Sequence, residues 1–343
     1  MSDYLDMLEG LSLDTFAGTP RPGWSGPDTL FGAPLAPLGA TGDARYIVAG
    51  VPFDGTASSR PGAAEGPRAI RRASLVFSSY LDSLGEHEMH DTRTGEVFRY
   101  ARSSVVDCGD LHVFPSDPLR TFQAVATEVR AMVRGGASTT MPILLGGDHS
   151  IGFATFAGVM SALRERGTDQ RLGLIQIDHH FDFGAHSAIH GPIYHGSNAR
   201  RISELPGMER RQMAFLGAAN VTRKAQFDGL IADGAHIVTA REFRRRGVTE
   251  ALAPVIDTMA KSCSAIYLSI DIDCLDASVA PGTGHVSIGG LTAGELMDIV
   301  AGLLVLPIAG MEIVEVAPRY DPTGRTAQIA AQVLFEALFR ATL

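Results

Sequence analysis

From Tyr46 onward, short apolar runs alternate with longer stretches in which apolar residues recur every three or four positions. The runs are RYIVAGVPFD (45–54), SVVDCGDL (104–111), MPILLGGDHS (141–150), RLGLIQID (171–178), MAFLGAAN (213–220), HIVTAREF (236–243), AIYLSIDID (265–273) and IAGMEIVEV (308–316). Their length and their lack of a polar face predict strands buried on both sides. The stretches between them predict helices near 68–77 and over 119–136, 151–167, 222–234, 248–262, 292–304 and 324–342. The paired glycines at 135 and 136 are a helix stop. Repeated strand–helix units of this kind imply a mostly parallel sheet with helices on both faces, a three-layer α/β domain. No linker or repeat period divides it, so residues 43–343 are expected to form one domain. Residues 1–42, rich in Gly and Pro, predict an extended arm suited to packing on a neighbouring subunit.

Composition narrows the function classes. With 343 residues, 45% hydrophobic and 20% charged, the chain can bury a large core. A net charge of −9 argues against nucleic acid or an anionic membrane as the main partner. The acidic N-terminus lacks the basic and apolar regions of a secretory signal. The longest uncharged apolar run, Ile299 to Met311, is too short to span a bilayer. Three cysteines (Cys108, Cys263 and Cys274) without a CxxC pair fit a reducing, cytoplasmic compartment. Cys274, although inside an acidic motif, reads as a buried small residue rather than a soft metal ligand.

Candidate chemistry gathers at three strand ends. MPILLGGDHS delivers Asp148 and His149, LIQIDHHFD delivers Asp178, His179, His180 and Asp182, and LSIDIDCLD delivers Asp271, Asp273 and Asp276. In an extended chain Asp178, His180 and Asp182 would share one side and His179 the other, and Asp271 would share a side with Asp273. Open α/β sheets bind ligands beyond the carboxyl ends of their strands, so the clusters can converge. Converging carboxylates repel unless cations neutralise them. Oxygen and imidazole donors together suit a divalent ion such as manganese, nickel, zinc or iron, and there are enough for two ions ~3.5–4 Å apart.

The motifs GGDHS, DHHFD as Asp-x-His-x-Asp, and SIDIDCLDASVAPGTG resemble the three metal motifs of the ureohydrolases, the family of arginase, agmatinase and related guanidino-compound hydrolases. GVPFDGTASSRPGAAEGPRAIR (50–71), VDCGD (106–110) and MEIVEVAPRYD (311–321) are similar to its remaining motifs. The resemblance implies an eight-stranded, arginase-like sheet, a trimer or hexamer, and a pair of manganese or nickel ions. It places His149, Asp178, Asp182 and Asp271 on one ion and Asp178, His180, Asp271 and Asp273 on the other. It further implies that hydroxide held by the ions attacks the guanidinium carbon of a small cationic substrate, releasing urea and an amine. A histidine suits the proton transfer to the leaving amine. YHGSNARR (194–201) points to His195, with Ser197 nearby, and IHGP (189–192) makes His190 the competitor. Glu315 matches the glutamate that meets the guanidinium, while Asp148 and Asp276 are expected to support rather than to ligate.

Three departures from the family pattern bear on substrate. His179 stands where the family usually has Ala, and His285 where a small hydroxyl residue is expected. Gly184 replaces the Asn with which arginases hold the amino-acid head group. The expected substrate is therefore a guanidino compound without that head group, such as agmatine, a guanidino acid or guanidine. An alkylated guanidine or biguanide, with nickel and in a hetero-oligomer, is the alternative, and a non-catalytic supporting subunit of such a complex is the rival class.

Overall fold

The structure is a computed structural model that describes residues 28–77, 87–101, 103–137, 139–167 and 171–341, together with Ser12. Eight strands form the principal sheet: β1 (Tyr46–Val51), β4 (Val105–Asp110), β5 (Met141–Gly146), β6 (Leu172–Ile177), β7 (Met213–Leu216), β8 (His236–Val238), β9 (Ala265–Asp271) and β10 (Ile308–Val314). Their order is β4-β1-β5-β10-β9-β6-β7-β8, and every pairing is parallel. Parallel neighbours need crossovers, and helices supply them. These are α1 (Gly66–Ser74), α2 (Pro118–Gly135), α3 (Ile151–Glu165), α4 (Asn198–Ser203), α5 (Lys224–Ala232), α6 (Ala240–Arg246), α7 (Val248–Ser262), α8 (Ala293–Leu303) and α9 (Arg325–Phe339).

The period of two splits the strands between two cores. Tyr46 and Val48 of β1, Ile143 and Leu145 of β5, and Ile175 and Ile177 of β6 pack with α1, α7, α8 and α9. Ile47, Ala49, Leu144, Leu172 and Leu174 face the other way, onto α2, α3 and α4. The three-layer α/β domain expected from the apolar runs is the observed fold. Within it, Arg71 of α1 is fully buried and binds Asp107 at 2.9 Å through two nitrogens, and also meets Asp110 at the end of β4. This buried ion group ties α1 to the edge of the sheet.

Three features differ from the sequence expectation. The run 236–243 is a strand only to Val238. Thr239 then caps α6, accepting the Glu242 N–H while the Glu242 carboxylate takes the Thr239 N–H. This capping box outweighs the β-branched residues before it. A small antiparallel sheet of β2 (Met89–His90), β3 (Val97–Tyr100) and β11 (Arg340–Ala341) forms outside the eight apolar runs, and β11 ends the last helix at Phe339. Most of the segment read as an arm lies outside the described residues. Its end does not: Leu30 and Phe31 are buried on their own chain, their N–H groups bonded to Asp107 and Ser74. Among the described residues no helix is long and apolar enough to cross a membrane.

Candidate metal centre and active site

Four adjacent strands at the middle of the sheet, β5, β10, β9 and β6, carry the candidate residues at their carboxyl ends. Glycines set the first of these ends. A Cβ on Gly147 would lie 1.7 Å from the Phe53 carbonyl oxygen, which accepts the Asp148 N–H at 2.7 Å. Only glycine permits that approach, which brings the loop after β1 against the end of β5. Two non-glycine residues there hold the left-handed backbone, Asp182 (φ 44°) and Glu315 (φ 64°). Such residues cost about 1–3 kcal/mol each and concentrate at functional sites.

His149 is the centre of one cluster. Its Nδ1 lies 2.9 Å from Asp182, 3.2 Å from Asp271 and 3.3 Å from Asp178. The other ring nitrogen, Nε2, is 2.9 Å from the Ser269 hydroxyl. Ser269 has one proton and donates it to Glu312 at 2.7 Å. It must therefore accept from His149 Nε2–H. Glu312 is fully buried and also receives the Thr155 and Tyr267 hydroxyls, which leaves it an acceptor throughout. This chain of donors commits Nε2 to its proton, so the neutral ring turns its lone pair, on Nδ1, toward the three carboxylates. Nδ1 is a buried atom without a hydrogen-bond partner, and while burial opposes a second proton on the ring, those carboxylates raise it well above its ordinary value. A lone pair facing three carboxylates is repulsive unless a cation lies between them. The donor set of one imidazole and three aspartates fits a divalent ion.

A second group adjoins it. His180 Nδ1 lies 3.2 Å from Asp273 and 3.5 Å from Asp178, and His285 completes a set of three possible ligands with His180 and Asp273. Asp178 and Asp271, buried, stand within the first set, and Asp178 reaches the second. Without cations the cluster is electrostatically frustrated. Burial raises Asp273 to about 7 and holds Asp271 well above the carboxylate range, each helped by neighbouring aspartates.

The convergence does not come from strand alternation alone. β6 ends at Ile177, and the turn through Asp182 brings its carboxylate beside those of Asp178 and Asp271. His179 does not point clear of the centre: its ring is buried and lies edge-on to His180, 4.9 Å away. Burial, and then the charge of His180, lowers His179 to about 4, so it stays neutral.

Of the two catalytic histidine candidates, the structure brings His195 to the centre. His195 Nδ1 lies 3.0 Å from Glu315 Oε1, which also accepts the His149 N–H at 2.9 Å. A carboxylate only accepts, so Nδ1 carries a proton. The other nitrogen, Nε2, meets the Ser58 hydroxyl at 2.7 Å and the Ser58 N–H at 3.2 Å. The Ser58 N–H donates to the Nε2 lone pair of the neutral ring, and the hydroxyl can donate there too or turn to accept when the ring is charged. Burial opposes charge on His195. The hydrogen bond and charge of Glu315, with Asp148 and Asp182 behind them, prevail and push it up to about 9. Ser58 lies in a loop motif to which the sequence assigned no role, and only contact across 137 positions reveals it. His190 sits in a turn closed by Ser187 and Gly191, its N–H on the Ser187 hydroxyl.

Asp148 receives the N–H and hydroxyl of both Thr56 and Ser150, and so holds the loop of Ser58 in place. Asp276 holds another loop, accepting from Ser278 and from the Gly289 N–H. Ser197 is buried and its hydroxyl is engaged within its own turn, bonded to Tyr194 N and O. At Gly184 a Cβ would lie 1.9 Å from the Tyr194 hydroxyl and 2.8 Å from the Gly196 carbonyl oxygen. The phenol of Tyr194 thus fills the space a side chain at 184 would need.

The Arginase family model, described as the arginase family, matches residues 44–340. A guanidinopropionase of Pseudomonas aeruginosa is 29% identical over 342 residues, covering 98% of this chain and 96% of that protein. A mitochondrial agmatinase of Gallus gallus is 31% identical over 297 residues, covering 86% of this chain and 80% of its own length. Among solved structures, the proclavaminate amidino hydrolase of Streptomyces clavuligerus superposes with a TM-score of 0.75 at 26% identity, over 93% of this chain and 98% of that one. With the match spanning nearly the whole sheet and every strand end that carries the clustered residues, the chain belongs to the arginase family.

Proposed function

We propose that the protein is an amidinohydrolase that cleaves a C–N bond of a small guanidino compound lacking an amino-acid head group. The observation that carries this reading is the His149 Nδ1 lone pair set among Asp178, Asp182 and Asp271. His149, Asp178, Asp182 and Asp271 would hold one divalent ion, and Asp178, His180, Asp271 and Asp273 a second, manganese or nickel. The four aspartates balance two such ions in charge. Divalent ions supply Lewis acidity, so that water ionises near neutral pH.

The chain's own residues do the rest. Glu315 has one carboxylate oxygen engaged by His149 N–H and His195. A guanidinium entering the site takes up the Glu315 carboxylate with its N–H groups, a charge-assisted pairing, and displaces His195 from it. While held by Glu315 the imidazole is raised to about 9, so it is charged at neutral pH when substrate arrives, and losing that carboxylate weakens its hold on the proton. It gives a proton to the leaving nitrogen as the C–N bond breaks and the oxygen of a water molecule takes that nitrogen's place on the carbon, which releases the amine and urea. Ser58 then satisfies the neutral ring. Gly184, its space taken by Tyr194, offers no side chain to an amino-acid head group. The chain is read as acting in the cytoplasm and in a homo-oligomer.

The test is one panel of urea and amine release from arginine, agmatine, 3-guanidinopropionate, 4-guanidinobutyrate, guanidine and a biguanide, after loading with manganese or nickel. Two ions per chain and turnover of a guanidine without a head group are expected. Arginine as the best substrate, or a chain that never binds metal, overturns the proposal.

A further inference from the structure

His285, which departs from the family pattern, stands at the edge of the second group of possible ligands. It stands on the loop between β9 and α8, and the root of that loop is fixed. Arg60 donates to the Thr283 carbonyl at 2.8 Å and to Gly284 at 3.3 Å. The Ala317 N–H donates to Gly282 at 2.7 Å, and the Gly282 N–H to Thr326 at 2.9 Å. A Cβ on Gly284 would lie 2.6 Å from the Arg60 carbonyl oxygen, so the chain just before His285 is packed on the loop after β1. Beyond it, the Ala277 N–H donates to Ser287 at 2.8 Å, closing the loop on the far side.

From this fixed root the exposed His285 ring turns inward and meets His180 edge-on, with centroids 4.6 Å apart and planes at 89°. One nitrogen from each ring and one oxygen of Asp273 lie within 4.8 Å of one another. Two ligands bound at about 2.1 Å to one ion sit at most about 4.2 Å apart. The span exceeds that limit by at most about 0.6 Å, so a shift of the exposed His285 side chain is what a shared ion requires.

We propose that His285 is an additional ligand at the position of His180 and Asp273, and that it biases that position toward nickel over manganese. The proposal rests on the two-ion reading above. Carboxylate, carbonyl and water ligands suit manganese, whereas imidazole suits nickel, zinc and iron. A hydroxyl side chain at 285 would leave His180 as the single nitrogen donor there. With His285 the position has two, and the oxygen-preferring ion loses ground.

The experiment strips the purified full-length protein and reloads it from an equimolar mixture of manganese and nickel. Bound ions per chain are counted by mass spectrometry for the unsubstituted chain, His285→Thr, His285→Asn and the neighbouring control Val286→Ala. The unsubstituted chain and Val286→Ala are expected to hold two ions with nickel enriched. In both His285 variants the bound nickel-to-manganese ratio should fall by about tenfold or more, although nickel stays the tighter ion. A readout free of substitution is the cobalt-loaded unsubstituted chain, whose shifted exchangeable imidazole protons should number three rather than two. If the unsubstituted chain holds two ions, yet shows two such protons and the same nickel share as His285→Thr, the proposed ligand is refuted while the two-ion centre stands. If it does not hold two ions, the two-ion reading itself fails.

Discussion

His149 uses its two nitrogens differently, one committed to Ser269 and the other left facing carboxylates. Ser269→Ala would remove the acceptor of His149 Nε2–H and a donor to Glu312 at once. Metal affinity should fall about 10–100-fold, read by competition with a chelator, while all proposed ligands stay in place. Glu315 plays a comparable part toward His195. Its negative charge raises the imidazole, so Glu315→Gln should lower the His195 midpoint from about 9 toward its ordinary value. An NMR titration of the ring reads this directly, and an unmoved midpoint would show that Glu315 does not control the proton. Activity should fall as well, because the amide cannot pair with a guanidinium as a carboxylate does. The clustered aspartates and histidines were legible because motif spacing survives any loop geometry. Ser58 and Tyr194 were not, since each acts through contacts that a linear pattern does not encode.

At the level of elements, the strand ends place these groups, and glycine permits the closest approach. Gly147→Ala puts a methyl group into the Phe53 carbonyl, and backbone cannot rotate away as a side chain could. The loss should exceed about 3 kcal/mol by urea unfolding, within the range of severe core changes, and should displace the Ser58 loop. The eight apolar runs revealed all eight strands of the main sheet, because burial on both faces leaves a continuous apolar signature. Where a run was over-read, at 236–243, a local hydrogen-bonding pattern decided the backbone after Val238. The strand period also stopped short of His179 and Asp182: beyond Ile177 the chain turns, and side-chain direction follows φ and ψ rather than alternation. The antiparallel sheet of β2, β3 and β11 is not legible in the sequence because strands of two to four residues leave no periodic trace.

For the molecule as a whole, that small sheet closes the chain's carboxyl-terminal end. Arg340 links Asp91, Glu336 and Glu96 and lies 4.0 Å from the Phe98 ring. Burial would raise Asp91, but hydrogen bonds from the Arg93 N–H and from Arg340 outweigh it and hold Asp91 at about 2, below its ordinary 3.8. A carboxylate depressed in the folded state stabilises above the unfolded value and loses that contribution as pH falls through the folded one. Hydrogen exchange should therefore show β3 and β11 loosening as pH drops from about 4 to about 2. Asp91→Asn should remove that pH dependence. The four central strands carry a different consequence, one of timing. His149 and Glu315, bonded to each other, are 166 positions apart, and the sheet order sets the last long strand, β10, between β5 and β9. During synthesis the ribosome must release β10 before the ends of β5 and β9 can be held at their final spacing. Any ion held by all four strand ends would therefore find its site complete only after β10 has emerged.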